Sequence, residues 1–270
     1  MIRFISSNLQ NSPLFLKLQN ELHVFNILNF KTYWDSYGEY CAKVKRTVGT
    51  ITFREEENAI NVMGIKKDPE ISFNLENIFY NDILIVSQNV IDDSGKKDLD
   101  FYIYKVTMDP KGKKDKVAHL LLQMSNSYVI RPHRWIPTRT AICQDKNDVL
   151  IARTDSNGNV INANPYKGFF GINIHDSDKW TNSSLGCTVL EKDSLANGFH
   201  YKNSFKPLLK TVTNNKDIVY AVSSLNALEN IFSTVITPLE KELKASFKTI
   251  KIDYNPPFTQ HKSLKWWWQK

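Results

Sequence analysis

The sequence predicts a mainly β protein, an antiparallel sandwich or barrel flanked by an N-terminal and a C-terminal helix. Three observations carry that expectation. β-branched and aromatic runs recur between Arg46 and Arg131, the turn signals between them leave little room for helices, and helical spacing of apolar residues is confined to the two ends. With 270 residues, 41% of them hydrophobic, the chain is long enough to bury a full core.

From the start, Leu14, Leu18, Leu22, Phe25 and Leu28 recur at spacings of three and four, which predicts an amphipathic helix within Pro13 to Lys43. His23 among them reads as packing or surface. The aromatic cluster Tyr33, Trp34, Tyr37 and Tyr40 fits a small core, with stacking on sugar rings as the alternative. Then TVGTITF, AINVMGI and ILIVSQNVI read as strands, either an accessory module or the first strands of a larger sheet. The polar turn Asp92 to Lys97 is the expected boundary, giving segments 1–95, 96–215 and 216–270.

Beyond it, FYIYKV at 101–106, Val117 to Gln123 and Ser127 to Arg131 are further strands, and Pro110 to Lys116 is a basic loop. A hairpin is expected with its turn at Gln144 to Asp148, and Asp155 to Asn159 is a second turn signal. Apolar runs continue at Phe205 to Val212 and Ile218 to Val222. Ser223 or Ser224 can then cap a helix reaching about Pro238, with Leu225, Leu228, Ile231, Phe232 and Val235 as its buried stripe. The tail Lys265 to Lys270 carries three consecutive tryptophans, suited to a glycan or a membrane interface or else loosely held.

Charge narrows the partners little. The 35 Lys+Arg against 28 Asp+Glu give +7, which suits an anionic polymer, but no nucleic-acid motif accompanies it and nucleic acid is not expected. Cys41, Cys143 and Cys187 are too few and too scattered for a disulfide framework. A zinc site from His175, Cys187 and His200 lacks ligand-pair spacing, so neither metal nor cofactor is expected. No secretory signal is visible, and no run of eighteen apolar residues predicts a membrane-spanning helix.

The chemistry concentrates in GFFGINIHDSDKWTNSSLGCTVLE, Gly168 to Glu191. Gly171 to Ile174 alternates as a short strand that ends at His175, and Cys187 follows a small-residue turn. A cysteine with an unperturbed pKa of about 8.5 is mostly thiol near neutrality and gains nucleophilicity from an imidazole partner. Gly186 frees the backbone to aim N–H groups at an oxyanion, with Ser184 as a positioning group. His119 and His133 are the alternative histidines, and Arg139 and Arg153 have forks suited to a carboxylate. A buried, inert Cys187 with a structural His175 is the plain alternative.

The order apolar strand, Asn173-Ile174-His175, polar loop, Ser184-Leu185-Gly186-Cys187 resembles the catalytic motif of L,D-transpeptidase domains. It is closest to a shorter-loop branch seen in bacterial and phage proteins. Thr107 to Pro110, His119, Leu120, Gln123 and Asp145 to Asp148 stand in the order that branch shows, so the resemblance covers about Asp98 to Lys210. It implies a sandwich or barrel of that type, with Cys187 as nucleophile and His175 as base. The implied activity is acyl transfer on peptidoglycan stem peptides through a thioester, without cofactor, and His119, Arg139, Arg153 and Asn173 are the candidate substrate-binding residues. With water as acceptor the same site is an L,D-carboxypeptidase or endopeptidase; without turnover it is a wall-binding protein. The implied location is the cell envelope or periplasm, or the cytoplasm until lysis or export. Two positions depart from the pattern: Asp176 stands where many members have Gly, and Thr188 where many have Arg.

Overall fold

A computed structural model of the chain describes residues 2–4, 27–67, 82–91, 94–109, 116–133, 140–157, 159–162, 164–176, 186–191 and 205–231. Strand β1 (Ile2–Phe4) precedes helix α1 (Ile27–Lys43), and β2 (Thr47–Val48), β3 (Ile60–Lys66), β4 (Asp82–Ile91) and β5 (Lys97–Thr107) follow. Then come β6 (Val117–Leu120), β7 (Gln123–Pro132), β8 (Thr140–Gln144), β9 (Val149–Thr154), β10 (Tyr166–Gly168), β11 (Ile174–Asp176) and β12 (Thr188–Leu190). Helix α2 (Lys206–Thr211), β13 (Ile218–Ser224) and α3 (Leu225–Ile231) complete the order.

Eight of these strands close into a barrel in the order β5-β12-β11-β8-β7-β13-β3-β4, with β4 pairing back onto β5. Most neighbours are antiparallel, as expected, but β11 with β12 and β13 with β3 run parallel. Ile91 pairs with Lys97 at one end of the β4–β5 ladder, so strands on either side of the expected boundary pair with each other.

Alternation decides which residues fill the ring, since side chains along a strand point to opposite faces. Ile60, Val62, Leu84, Val86, Tyr104, Val106, Tyr128, Ile130, Ile142, Ile174, Leu190, Ile218, Tyr220 and Val222 belong to one apolar cluster to which every stave contributes, and this is the barrel interior. The three-stranded sheet β10-β9-β6 adds Ala118, Leu120, Val149 and Ile151 to it, and Phe205, Leu208 and Leu209 at α2 do the same.

The opposite alternates of β3, β4, β5 and β13, among them Met63, Ile65, Ile83, Ile85, Phe101, Ile103, Val219 and Ala221, form a second cluster on the outer wall with α1 and α3. Helix α1 covers that wall through Phe30, Tyr33, Trp34, Tyr37 and Cys41, all fully buried. The aromatic cluster is therefore core, apart from Tyr40, which stays 42% exposed. Of the expected amphipathic stripe, Leu14, Leu18, Leu22, Phe25 and also His23 lie outside the described residues.

Three further expectations change or sharpen. The turn at Gln144 to Asp148 does not make a hairpin, because β8 stays in the barrel with β7 and β11 while β9 leaves for the second sheet. The Ser125 and Ser127 hydroxyls both donate to Asp148 O, and Asp145 N–H donates to Ser127 O, so the turn is tied to β7 instead of folding back on β8. In TVGTITF only Thr47–Val48 is strand; further on, the Asn61 side chain takes the place of a ladder, accepting from Arg54 N–H and donating to Arg54 O. Phe205 to Val212 is largely helical. Ser224 caps α3, its Oγ accepting from Ala227 N–H at 3.2 Å, while the Ser223 hydroxyl meets Tyr33 OH at 2.8 Å.

Candidate functional site

The site lies on the outer wall of the barrel, on the side where β7, β8, β11 and β12 adjoin. Ile174 pairs with Thr188 and His175 with Val189 on parallel strands, and Ile174 also pairs with Ile142. Since Ile174 and Ile142 point inward, His175 and Cys143 point outward, as do Asn173 and Cys187 when the register is continued by one residue. Strand separation and rise put the His175 and Cys187 Cα positions on the order of 8 Å apart on this face. By register the two residues are diagonal neighbours.

Asn173 is the hub of the arrangement. Its N–H approaches Cys187 Sγ at 3.4 Å, its carbonyl accepts from Thr188 N–H at 2.8 Å, and its Oδ1 accepts from Gln144 N–H at 2.9 Å. Only an oxygen can accept there, so the other end of the amide is the NH2 group, which meets His133 Nδ1 at 3.2 Å. Cys187 Sγ also contacts Gly171 O at 3.7 Å, and Cys187 is partly exposed whereas Cys41 and Cys143 are buried. Burial raises the thiol pKa of both of those, that of Cys41 to about 11.

His175 is 7% exposed, and its Nδ1 stands 2.5 Å from Asp176 O. A carbonyl can only accept, so Nδ1 carries the proton and the neutral ring has its lone pair on Nε2. The ring of His133 stacks on it, centroids 4.3 Å apart and planes inclined by 27°.

Two glycines shape the backbone beneath the thiol. Gly171 has φ +70° and Gly186 φ +146°, both in the region glycine tolerates. Gly186 also packs on β6. Gln144, fully buried, holds the preceding segment: its Oε1 accepts from Phe170 N–H and Ile172 N–H, and its Nε2 donates to Gly168 O and Asn147 O.

Of the other expected residues, Arg153 borders the site. Arg153 pairs with Ala118 on β6, the residue against which Gly186 rests, and its guanidinium lies 5.3 Å from the Phe170 ring centroid and 5.9 Å from that of Tyr166. Its Nη1 donates to Lys116 O, and among the described residues no carboxylate pairs with it. His119 is held elsewhere. It is 5% exposed, with Nδ1 3.1 Å from Asp109 Oδ1 and Nε2 2.9 Å from Thr154 Oγ1.

That histidine belongs to a charged cluster. Lys66 Nζ donates to the same Asp109 oxygen at 2.8 Å, and Asp82 accepts from Lys67 N–H and Met108 N–H. Burial and the nearby Asp109 charge push the Asp82 carboxyl up to about 6. Burial works in the same direction on Asp109, but Lys66 and His119 outweigh it and hold that carboxyl down, at about 2. Ser184 and Arg139 lie outside the described residues.

No family model, curated protein or solved structure matches the chain. Among the described residues no group of His, Cys, Asp and Glu is arranged to hold a metal ion, and no helix is long and apolar enough to cross a membrane.

Thr188 has a structural account. It points into the barrel, fully buried, with its hydroxyl 3.0 Å from Tyr220 OH. An arginine at this position would face the apolar interior, away from the thiol. In the sequence His133 reads only as another histidine and Gln144 only as part of a turn. Their roles come from the β7–β8–β11 register, and no local pattern announces them.

Proposed function

We propose that the chain is a cysteine acyl-transfer enzyme of the L,D-transpeptidase type acting on peptidoglycan stem peptides. The observation that carries this reading is the placement, on adjacent parallel strands of one face, of a partly exposed cysteine, Cys187, and a buried histidine, His175, whose Nδ1–H is fixed on a carbonyl. Such a ring has its basic nitrogen at Nε2, which suits it to take the thiol proton.

In this reading the Cys187 thiolate adds to the carbonyl carbon of a stem-peptide amide, and the carbonyl oxygen takes the negative charge. Backbone N–H groups around Gly186 and Cys187 stabilise it. Collapse breaks the C–N bond, His175 delivers its proton to the departing amine of the terminal D-amino acid, and a thioester remains. An incoming amine then gives up a proton to His175 and forms a new amide; water in its place gives a carboxylic acid and net hydrolysis.

Arg153, stacked on Phe170 beside the Gly186 turn, is placed to bind a substrate carboxylate, the task that Thr188 cannot perform. His119 is assigned a structural role, since both its ring nitrogens are engaged within the protein. The place of work implied by this substrate is the cell envelope.

The test is incubation with purified muropeptides, wild type beside Cys187→Ala, read by mass spectrometry. The expected result is a Cys187 acyl adduct and loss of one D-amino acid, both abolished in the variant. Wall binding by the wild type without adduct, release or new cross-link would overturn the enzyme reading in favour of a binding protein.

A further inference from the structure

His175 does not act alone on its face of the barrel. His133, just after β7, lies over it ring on ring, and its hydrogen bond with Asn173 bears on where its proton sits. Asn173 Oδ1 is committed to Gln144 N–H, so the Asn173 amide presents N–H to His133 Nδ1. A proton on Nδ1 would set one N–H against another. The bond therefore keeps a lone pair on Nδ1, and His133 is neutral with its proton on Nε2.

A neutral ring offers its π face to a cation, whereas a second imidazolium at the same separation would repel it. We propose that His133, locked neutral by Asn173, is a positioning residue that holds the His175 ring and favours its protonated form, and so favours the thiolate of Cys187 on the adjacent strand. This rests on reading Cys187 and His175 as nucleophile and base. Asn173 joins the two ends of the device, since its backbone N–H meets the sulfur and its side chain meets His133.

The other titratable or charged groups on this side are few among the described residues. Cys143 on β8 faces the same way. Arg131 on β7 donates to Gln144 O and pairs with Asp145, and Asp176 follows His175 on its own strand. Lys105 and Glu191 lie further along β5 and beyond β12, where Glu191 N–H donates to Lys105 O. All are present in every variant below, so differences between variants report on His133.

The test is the pH dependence of Cys187 alkylation by iodoacetamide, read on the Cys187 peptide by mass spectrometry, which needs no substrate. His133→Ala is expected to move the alkylation profile to higher pH by about one unit, a roughly tenfold loss of rate on its acidic side. His133→Phe restores a neutral ring face and is expected to keep the wild-type profile within a few tenths of a unit.

Equal shifts in both variants, or no shift in either, would overturn the proposal. A nitrogen-detected NMR titration of the wild-type protein is independent of whether variants fold. His133 must remain the neutral Nε2–H tautomer through the range in which His175 titrates, and its protonation in step with His175 would also overturn the proposal. Muropeptide turnover measured alongside keeps the questions apart: absence of turnover in wild type counts against the enzyme reading, while the alkylation profiles still decide the role of His133.

Discussion

Gly186 rests on Ala118 so closely that a Cβ added to it would come within 2.9 Å of the Ala118 Cβ and 3.0 Å of the Ala118 carbonyl oxygen. Backbone contact of this kind cannot be relieved by turning a side chain, and φ at +146° is itself costly for any residue with a Cβ. Gly186→Ala is expected to destabilise the fold by about 2–4 kcal/mol and to displace Cys187. Chemical denaturation and the rate of Cys187 alkylation measure the two effects. Adding Ala118→Gly removes the Cβ contact and leaves the carbonyl and the strain, so only partial recovery is expected.

Gln144 makes four side-chain hydrogen bonds to the segment leading to Asn173 and its own turn, and it is fully buried. Gln144→Leu leaves those backbone groups without a partner, at about 1–3 kcal/mol for each that water cannot reach. The expected outcome is loss of amide-exchange protection at Phe170 and Ile172, seen by hydrogen exchange, before any loss at β3 or β4.

The Asp82 and Asp109 carboxyls give stability a pH dependence with opposite signs. Asp82, raised to about 6, keeps in the folded chain a proton that the unfolded chain loses near 4, so its contribution falls as pH rises from about 4 to 6. Asp109, depressed to about 2, contributes stability that is present above 4 and lost as pH falls toward 2. Asp82→Asn is expected to flatten the pH 4–6 decline by about 3 kcal/mol, measured by urea denaturation at several pH values. An unchanged slope would mean that Asp82 titrates normally.

Arg153→Met keeps the aliphatic packing and removes the fork. If Arg153 binds a substrate carboxylate, kcat/KM for a stem peptide falls about 10- to 100-fold, chiefly through KM, as expected for about 1.5–3 kcal/mol from a charge-assisted bond. The same variant is expected to treat a peptide amide and a peptide acid alike. A wild-type enzyme already indifferent to that change would remove the role.

The parts legible in the sequence are those with a local signal. The β-branched runs of β3, β4 and β5 declare strands, the pair Ser223–Ser224 declares the start of α3, and the segment from His175 to Cys187 stands out as the candidate site. What was not legible depends on register between distant segments. No pattern links β13 to β3, or Lys66 to Asp109, 43 positions later, and His133 reaches His175 only because β8 separates β7 from β11 in the ring. The misread turn at Gln144 to Asp148 has the same origin: turn chemistry says that the chain bends, and the serines of β7 decide where it goes.

The pairing of β4 back onto β5 bears on how this chain can be divided. A shortened chain beginning at residue 96 would lack two of the eight staves and expose the long edges of β5 and β13, which in the whole chain are covered by ten and five register pairs. Exposed strand edges recruit other chains. The region around His175 and Cys187 would then be attached to an open sheet prone to self-association, so the ring that carries the His-to-Cys segment depends on β3 and β4 for its closure.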